Sequence, residues 1–220
     1  MDLLYKYLEN EYLIAFKKKG SIKINTLREI RPTMDKTEGK QIQTFAPINE
    51  PITLSGETKF DISNTLHFPK NTPNAIHIEA GGTFTSYIEA KNAFVFCTSI
   101  KFNPDFWRKF NKDAFYKIVK PKKFIKLLYR RLNKEFGLSQ LPMVHLVEYT
   151  LDKDKTITSP QDINSISNHR MSYKELCFTK TEKFRDEAEF RMLFIPKNPE
   201  IIKSKVIDCP ELRKCCDFTK

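Results

Sequence analysis

No Cys-x-x-Cys pair occurs among the five cysteines, Cys97, Cys177, Cys209, Cys215 and Cys216, and their number is odd. That pattern predicts free thiols in a reducing cytoplasm rather than a disulfide framework. Cys209, Cys215 and Cys216 cluster with no histidine nearby, a poor match to zinc-ligand spacing, so no metal is expected. The four histidines, His67, His77, His145 and His169, lie in unrelated segments. With no obvious carboxylate cluster for two metals either, a nuclease ranks last among the function classes. No apolar run approaches the roughly 20 residues of a membrane span. Met1-Asp2-Leu3-Leu4-Tyr5-Lys6 introduces an acid at once, so no signal peptide is expected and the chain reads as a soluble, cytoplasmic protein. No internal repeat, zinc finger, helix-turn-helix or RNP-type aromatic motif marks a sequence-specific nucleic-acid reader.

What is present is a packed globule with a basic excess. The chain of 220 residues is 40% hydrophobic and has 18 Phe, enough for one domain, read as residues 1–220, with a core that needs no staples. Against 27 Asp and Glu stand 38 Lys and Arg, a formal charge of +11, which favours polyanionic partners.

Along the chain, Leu4 to Leu8 reads as a strand, and Asn10 opens a helix with Tyr12, Leu13, Ala15 and Phe16 on one side. Lys17-Lys18-Lys19-Gly20 stops that helix, and Ser21 to Leu27 follows as a strand with Ile22 and Ile24 inward. Thr33 to Lys40 has the composition of a surface loop. Ala75 to Glu79 and Thr83 to Ile88 predict a hairpin around Gly81-Gly82. Ala93 to Ile100 reads as a central strand ending in hydroxyls at a pocket, and Asn103-Pro104-Asp105 as the start of a short helix carrying Trp107. From Lys117 to Lys134 no acid appears. There Lys122, Lys126, Arg130 and Lys134 recur at helical spacing opposite Ile125, Leu128 and Leu132, an amphipathic helix with a basic face suited to a polyanion. Met143 to Thr150 reads as one strand, Leu151 to Ser172 as a long loop, and Val206 to Pro210 as a last strand before a short terminal helix.

Phe184 to Ile195 alternates, with Ala188, Phe190, Met192 and Phe194 on one face of a strand and Glu187, Glu189 and Arg191 on the other. The pattern predicts a half-buried strand with a charged outer face. Two carboxylates roughly 6–7 Å apart beside a guanidinium form a site that can hold one of them in a chosen protonation state.

Three elements, Tyr5-Lys6 on an early strand, Cys97-Thr98-Ser99 at a strand end and Glu187-x-Glu189 on a late strand, together resemble the ADP-ribosyltransferase superfamily. Leu4 to Tyr7, Cys97 to Ser99 and Glu187 to Arg191 also resemble an uncharacterised family of small bacterial and phage proteins. Where the superfamily has Arg or His this chain has Lys6, and where it often has a first serine it has Cys97. The resemblance implies an α+β fold, a split β-sheet core with short flanking helices, and NAD as substrate. It also implies an acceptor, with a toxin or phage-defence role and an antitoxin or other inhibitor as partner.

The chemistry gives these residues roles. Cleaving the nicotinamide–ribose bond passes through an oxocarbenium-like centre, which a carboxylate bonded to the ribose 2-hydroxyl stabilises. Glu189 is that carboxylate, and Glu187 orients or deprotonates the acceptor. Tyr5, Lys6, Arg28, Arg31, Thr98 and Ser99 are candidates for NAD contacts, with Ser99 holding Glu189 or touching the ribose and Thr98 pointing the other way. Lys6, Arg28 or Arg31 could bind phosphate as point charges or forks. The basic helix makes nucleic acid the favoured acceptor. An NAD hydrolase, or a non-enzymatic nucleic-acid-binding module using Lys122, Lys126, Arg130 and Lys134, are the alternatives.

Overall fold

The computed structural model describes residues 3–30, 40–45, 52–55, 75–78, 84–106, 112–151, 155–157, 172–199 and 202–218. Arg31, Trp107, Gly81-Gly82, most of the Thr33 to Lys40 loop and most of the 151–172 stretch lie outside them. The fold is mixed α and β, with a mostly antiparallel sheet and several helices. Within the 1–220 span, two compact units form. The first holds residues 1–39, 91–151 and 177–220, and the second residues 40–90 and 152–176.

The first unit opens with β1 (Leu4–Leu8), α1 (Asn10–Lys19) and β2 (Ser21–Thr26). Helix α1 stops where expected: Gly20 adopts φ 75° and its N–H donates to the Phe16 carbonyl at 2.8 Å. A Cβ at Gly20 would lie 2.5 Å from Pro210 Cα, so both the left-handed turn and the close backbone approach require glycine. Leu27 leaves the strand and begins a short helix, α2 (Leu27–Ile30).

In the second unit β3 (Lys40–Phe45) pairs with β6 (Phe84–Glu89), and β4 (Ile52–Ser55) with β5 (Ala75–Ile78). The expected hairpin between 75–79 and 83–88 is therefore not made. Each of its strands takes a partner of its own length, six residues with six and four with four.

Back in the first unit come β7 (Phe94–Ser99), β8 (Ala114–Ile118), α3 (Pro121–Phe136), β9 (Met143–Leu146) and β10 (Glu148–Thr150). The single strand expected over 143–150 is broken at Val147, whose N–H donates to the Glu189 carbonyl at 2.9 Å. Inside the stretch read as a long loop lies β11 (Lys155–Ile157), parallel to β3 in the second unit. Then follow α4 (Tyr173–Phe178), β12 (Thr179–Thr181), a 3-10 helix (Glu182–Glu187) and β13 (Glu189–Phe194). The chain ends with β14 (Lys205–Asp208), a 3-10 helix (Pro210–Cys215) and β15 (Cys216–Asp217).

The sheet of the first unit runs β14-β2-β7-β1-β8-β15, with β13 between β7 and β9. Phe94, Phe96, Phe190, Met192 and Phe194 project from it into a core closed by Leu13 and Phe16 of α1 and by Phe124, Leu128 and Leu132 of α3. The buried stripe of α3 thus includes Phe124, with the expected Ile125 only partly buried against it. Lys122, Lys126, Arg130 and Lys134 are exposed on the opposite side of that helix. Among the described residues no helix is long and apolar enough to cross a membrane.

Candidate active site

Strand β7 organises the site. Strand β13 occupies one of its edges over all six residues, from Phe94↔Phe194 to Ser99↔Glu189. Two strands share the other edge: β2 pairs at Phe94 and Val95, and β1 at Ser99. Between those points the ladder opens, and the Cys97 carbonyl accepts a hydrogen bond from Lys6 Nζ at 2.8 Å. A lysine thus takes the place of a strand in the opening. The Lys6 ammonium also lies 4.6 Å from the Phe96 ring centroid, a cation–π contact. Burial pushes the Lys6 pKa down, while the neighbouring Glu189 carboxylate resists that shift.

Ser99 faces Tyr5 on one side and Glu189 on the other. Directly opposed residues of antiparallel strands share a face, so Tyr5, Ser99 and Glu189 stand in one row. A cleft of about 190 Å³ opens there. Tyr5, Lys6, Cys97, Thr98, Ser99, Glu187 and Glu189 all line it.

The glutamates do not share a strand. Strand β13 begins at Glu189, and Glu187 ends the preceding 3-10 helix. Between them Ala188 takes the left-handed conformation, φ 42° and ψ 48°, which costs a residue with a Cβ about 1–2 kcal/mol. That bend breaks the two-residue alternation and lets both carboxylates reach one cation. Lys180 Nζ, on β12, lies 2.8 Å from Glu187 Oε2 and 3.1 Å from Glu189 Oε2. On the other side, Arg191 Nε donates to Glu189 Oε1 at 2.9 Å, and its Nη1 donates to the Cys177 carbonyl.

These charges are buried, contrary to the solvated outer face expected. Glu187 is 7%, Glu189 6%, Lys180 1% and Arg191 0% exposed. The reason is that β13 is an interior strand, flanked by β7 and β9, whose second face is also covered. Burial alone would raise the Glu189 pKa; the Arg191 and Lys180 charges, with hydrogen bonds from Arg191 and the Cys97 thiol, more than offset it and hold the carboxyl well below the usual range. At the head of β13, the Tyr149 hydroxyl accepts from the Glu189 N–H at 2.9 Å. Burial raises the Tyr149 pKa to about 12, so the phenol stays protonated.

Ser99 does not hold Glu189. Its Oγ donates to the Lys101 carbonyl at 2.8 Å and accepts from the Lys101 N–H at 3.1 Å, closing the turn after its own strand. Thr98, buried on the opposite side of β7, donates to the Phe190 carbonyl at 3.0 Å. Arg28 is exposed on α2 and is not among the cleft-lining residues. Lys180 is the site residue that patterning alone does not single out. A signal for it exists: a lysine directly after Leu176-Cys177-Phe178-Thr179, all of them buried, needs an acidic partner.

All five cysteines are free thiols. Among the described residues no group of three or more His, Cys, Asp or Glu side chains is arranged to hold a metal ion. No family model, no curated protein and no solved structure matches the chain.

Proposed function

We propose that the first unit is an ADP-ribosyltransferase-like split sheet and that the chain transfers ADP-ribose from NAD to a macromolecular acceptor, nucleic acid being the favoured class. The observation that carries this reading is the double register on Ser99, which brings Tyr5, Lys6 and the Glu187/Glu189 pair, far apart in sequence, to one cleft at an opening in a β-ladder. Glu189, kept ionised by Arg191 and Lys180, accepts the ribose 2-hydroxyl and faces the positive charge that develops as the C–N bond breaks. The bond's electron pair leaves with nicotinamide. Lys6 supplies the positive charge for the pyrophosphate from within the opening. Glu187, oriented by Lys180, directs the acceptor and takes its proton as the new bond to the ribose forms. The exposed cations of α3, with the net charge of +11, favour a polyanionic acceptor.

Nicotinamide release from NAD tests this, measured for wild type and Glu189→Gln with and without RNA, single-stranded DNA and cell lysate. The expected outcome is release by wild type, increased by one polymer, and a loss of about 100-fold or more in the variant. Equal release from both proteins would remove Glu189 from the chemistry and with it the proposal.

A further inference from the structure

After Ser99 the chain turns outward in three exposed residues, Ile100, Lys101 and Phe102. Ile100 is 36% and Phe102 46% exposed. Neither is exposed because the backbone is loose. The Ile100 N–H donates to the Ala188 carbonyl at 3.0 Å, the Lys101 N–H and carbonyl both bond Ser99 Oγ, and the Asn103 N–H donates to the Tyr7 hydroxyl at 2.8 Å. An ordered turn therefore holds two apolar side chains and an ammonium in water. The Phe102 ring is backed by Tyr5 and Phe115, with centroids 5.6 and 5.0 Å away.

Position gives this lip its meaning. Its first amide is bonded to Ala188, the residue between the two glutamates, and Tyr5, on which Phe102 leans, lines the cleft and faces Ser99. Phe102 is not itself a lining residue and stands one ring away from the cleft, across Tyr5. The surface offers a flat apolar ring, a neighbouring cation and an overall charge of +11. Its complement is a planar ring on an anionic backbone. Such rings are accessible when unpaired, since a duplex keeps its bases stacked on one another.

We propose that Phe102, backed by Tyr5 and flanked by Ile100 and Lys101, is a stacking platform for an unpaired nucleobase of single-stranded nucleic acid, presented beside the Glu189 cleft. This rests on the reading of nucleic acid as acceptor and deepens it by naming where the base is held. Phe102 supplies the ring face and Lys101 the charge beside the adjoining phosphate.

Binding of the full chain to a fluorescent single-stranded 12-mer, in RNA and DNA forms, tests it beside an abasic strand of equal length. Phe102→Ala and Phe102→Leu should each weaken binding of the base-bearing strand about tenfold, leave the abasic strand unaffected and leave the thermal transition in place, while Phe102→Trp restores affinity. Phe102→Leu keeps an apolar side chain and loses only the ring. Equal affinity of wild type for base-bearing and abasic strands, or equal losses on both, would overturn the platform. Nicotinamide release measured without polymer separates the two readings. Glu189-dependent release with no effect of Phe102 on strand binding leaves the enzyme and removes the platform. Base-dependent binding lost in Phe102→Leu, with no release under any condition, leaves the platform and removes the enzyme.

Discussion

Two stretches of this chain carry a regular charged face, and folding sends them to opposite environments. On α3, Lys122, Lys126, Arg130 and Lys134 are exposed while Phe124, Leu128 and Leu132 fill the core. On β13 and its approach, Glu187, Glu189 and Arg191 are as buried as the phenylalanines they alternate with. A helix on a sheet has one neighbour, so its second face is water. A strand has two faces, and alternation says only that they differ, not that one is wet. The composition within each stretch carries the distinction. Residues 117–134 have no acid. Lys117 and Arg131 pair with Asp217 and Glu135 outside the stretch, while Lys122, Lys126, Arg130 and Lys134 stay exposed. The β13 stretch instead supplies its own counter-ion in Arg191 and finds a second in Lys180.

The two environments separate most clearly when one cation is removed from each. Lys180→Met takes from the two buried carboxylates the ammonium that bonds both, and should destabilise the protein by about 3–5 kcal/mol, read from urea midpoints. Lys126→Met on α3, exposed and outside any such cluster, should stay within about 0.5 kcal/mol of wild type. Similar losses from the two substitutions would mean that the buried cluster is no more than a surface ion pair.

A smaller effect comes from pH. Glu189 has a depressed pKa in the folded chain and one near 4.3 unfolded, so its stabilisation is complete above the unfolded value and is lost as pH falls towards the folded one. The stability gap between wild type and Glu189→Gln should therefore be constant from about pH 7 to 5 and narrow below about pH 4, by at most 1.36 kcal/mol per pH unit. A gap that stayed constant down to about pH 2 would show that the cluster does not hold Glu189 ionised.

Much of the frame was legible, and the reasons are local. Lys17-Lys18-Lys19-Gly20 stops α1 because only glycine fits against Pro210, and Ile22 and Ile24 are buried on either side of an exposed Lys23, as alternation along β2 requires. Tyr5, Lys6, Thr98, Ser99, Glu187 and Glu189 stand out through the family resemblance of their order along the chain, and all line one cleft. What stayed hidden depends on neighbours far apart in the chain. Lys180 has no meaning until β12 is laid beside β10 and the bend at Ala188 brings Glu187 and Glu189 to its ammonium. Ser99 has both a strand partner and a turn to close, and sequence does not say which claims its hydroxyl. The 75–88 hairpin failed for a related reason: two adjacent strands with a glycine pair between them satisfy the local rule, yet longer-range partners of matching length win.

The exposed face answers to the mildest change, replacing Lys122, Lys126, Arg130 and Lys134 together by Gln. These side chains leave α3 away from its buried stripe, so the core of Phe124, Leu128 and Leu132 is untouched and the thermal transition should move little. Their charge is what single-stranded nucleic acid would meet, and each phosphate left without its cation should lower the slope of log affinity against log salt by about 0.7. If all four cations engage, the slope falls by about three, with weaker binding at low salt and convergence with wild type as salt rises. A slope unchanged by the quadruple substitution would make α3 a solvated helix only, and the acceptor's backbone would then have to be held by cations elsewhere, beginning with Lys101 beside the cleft.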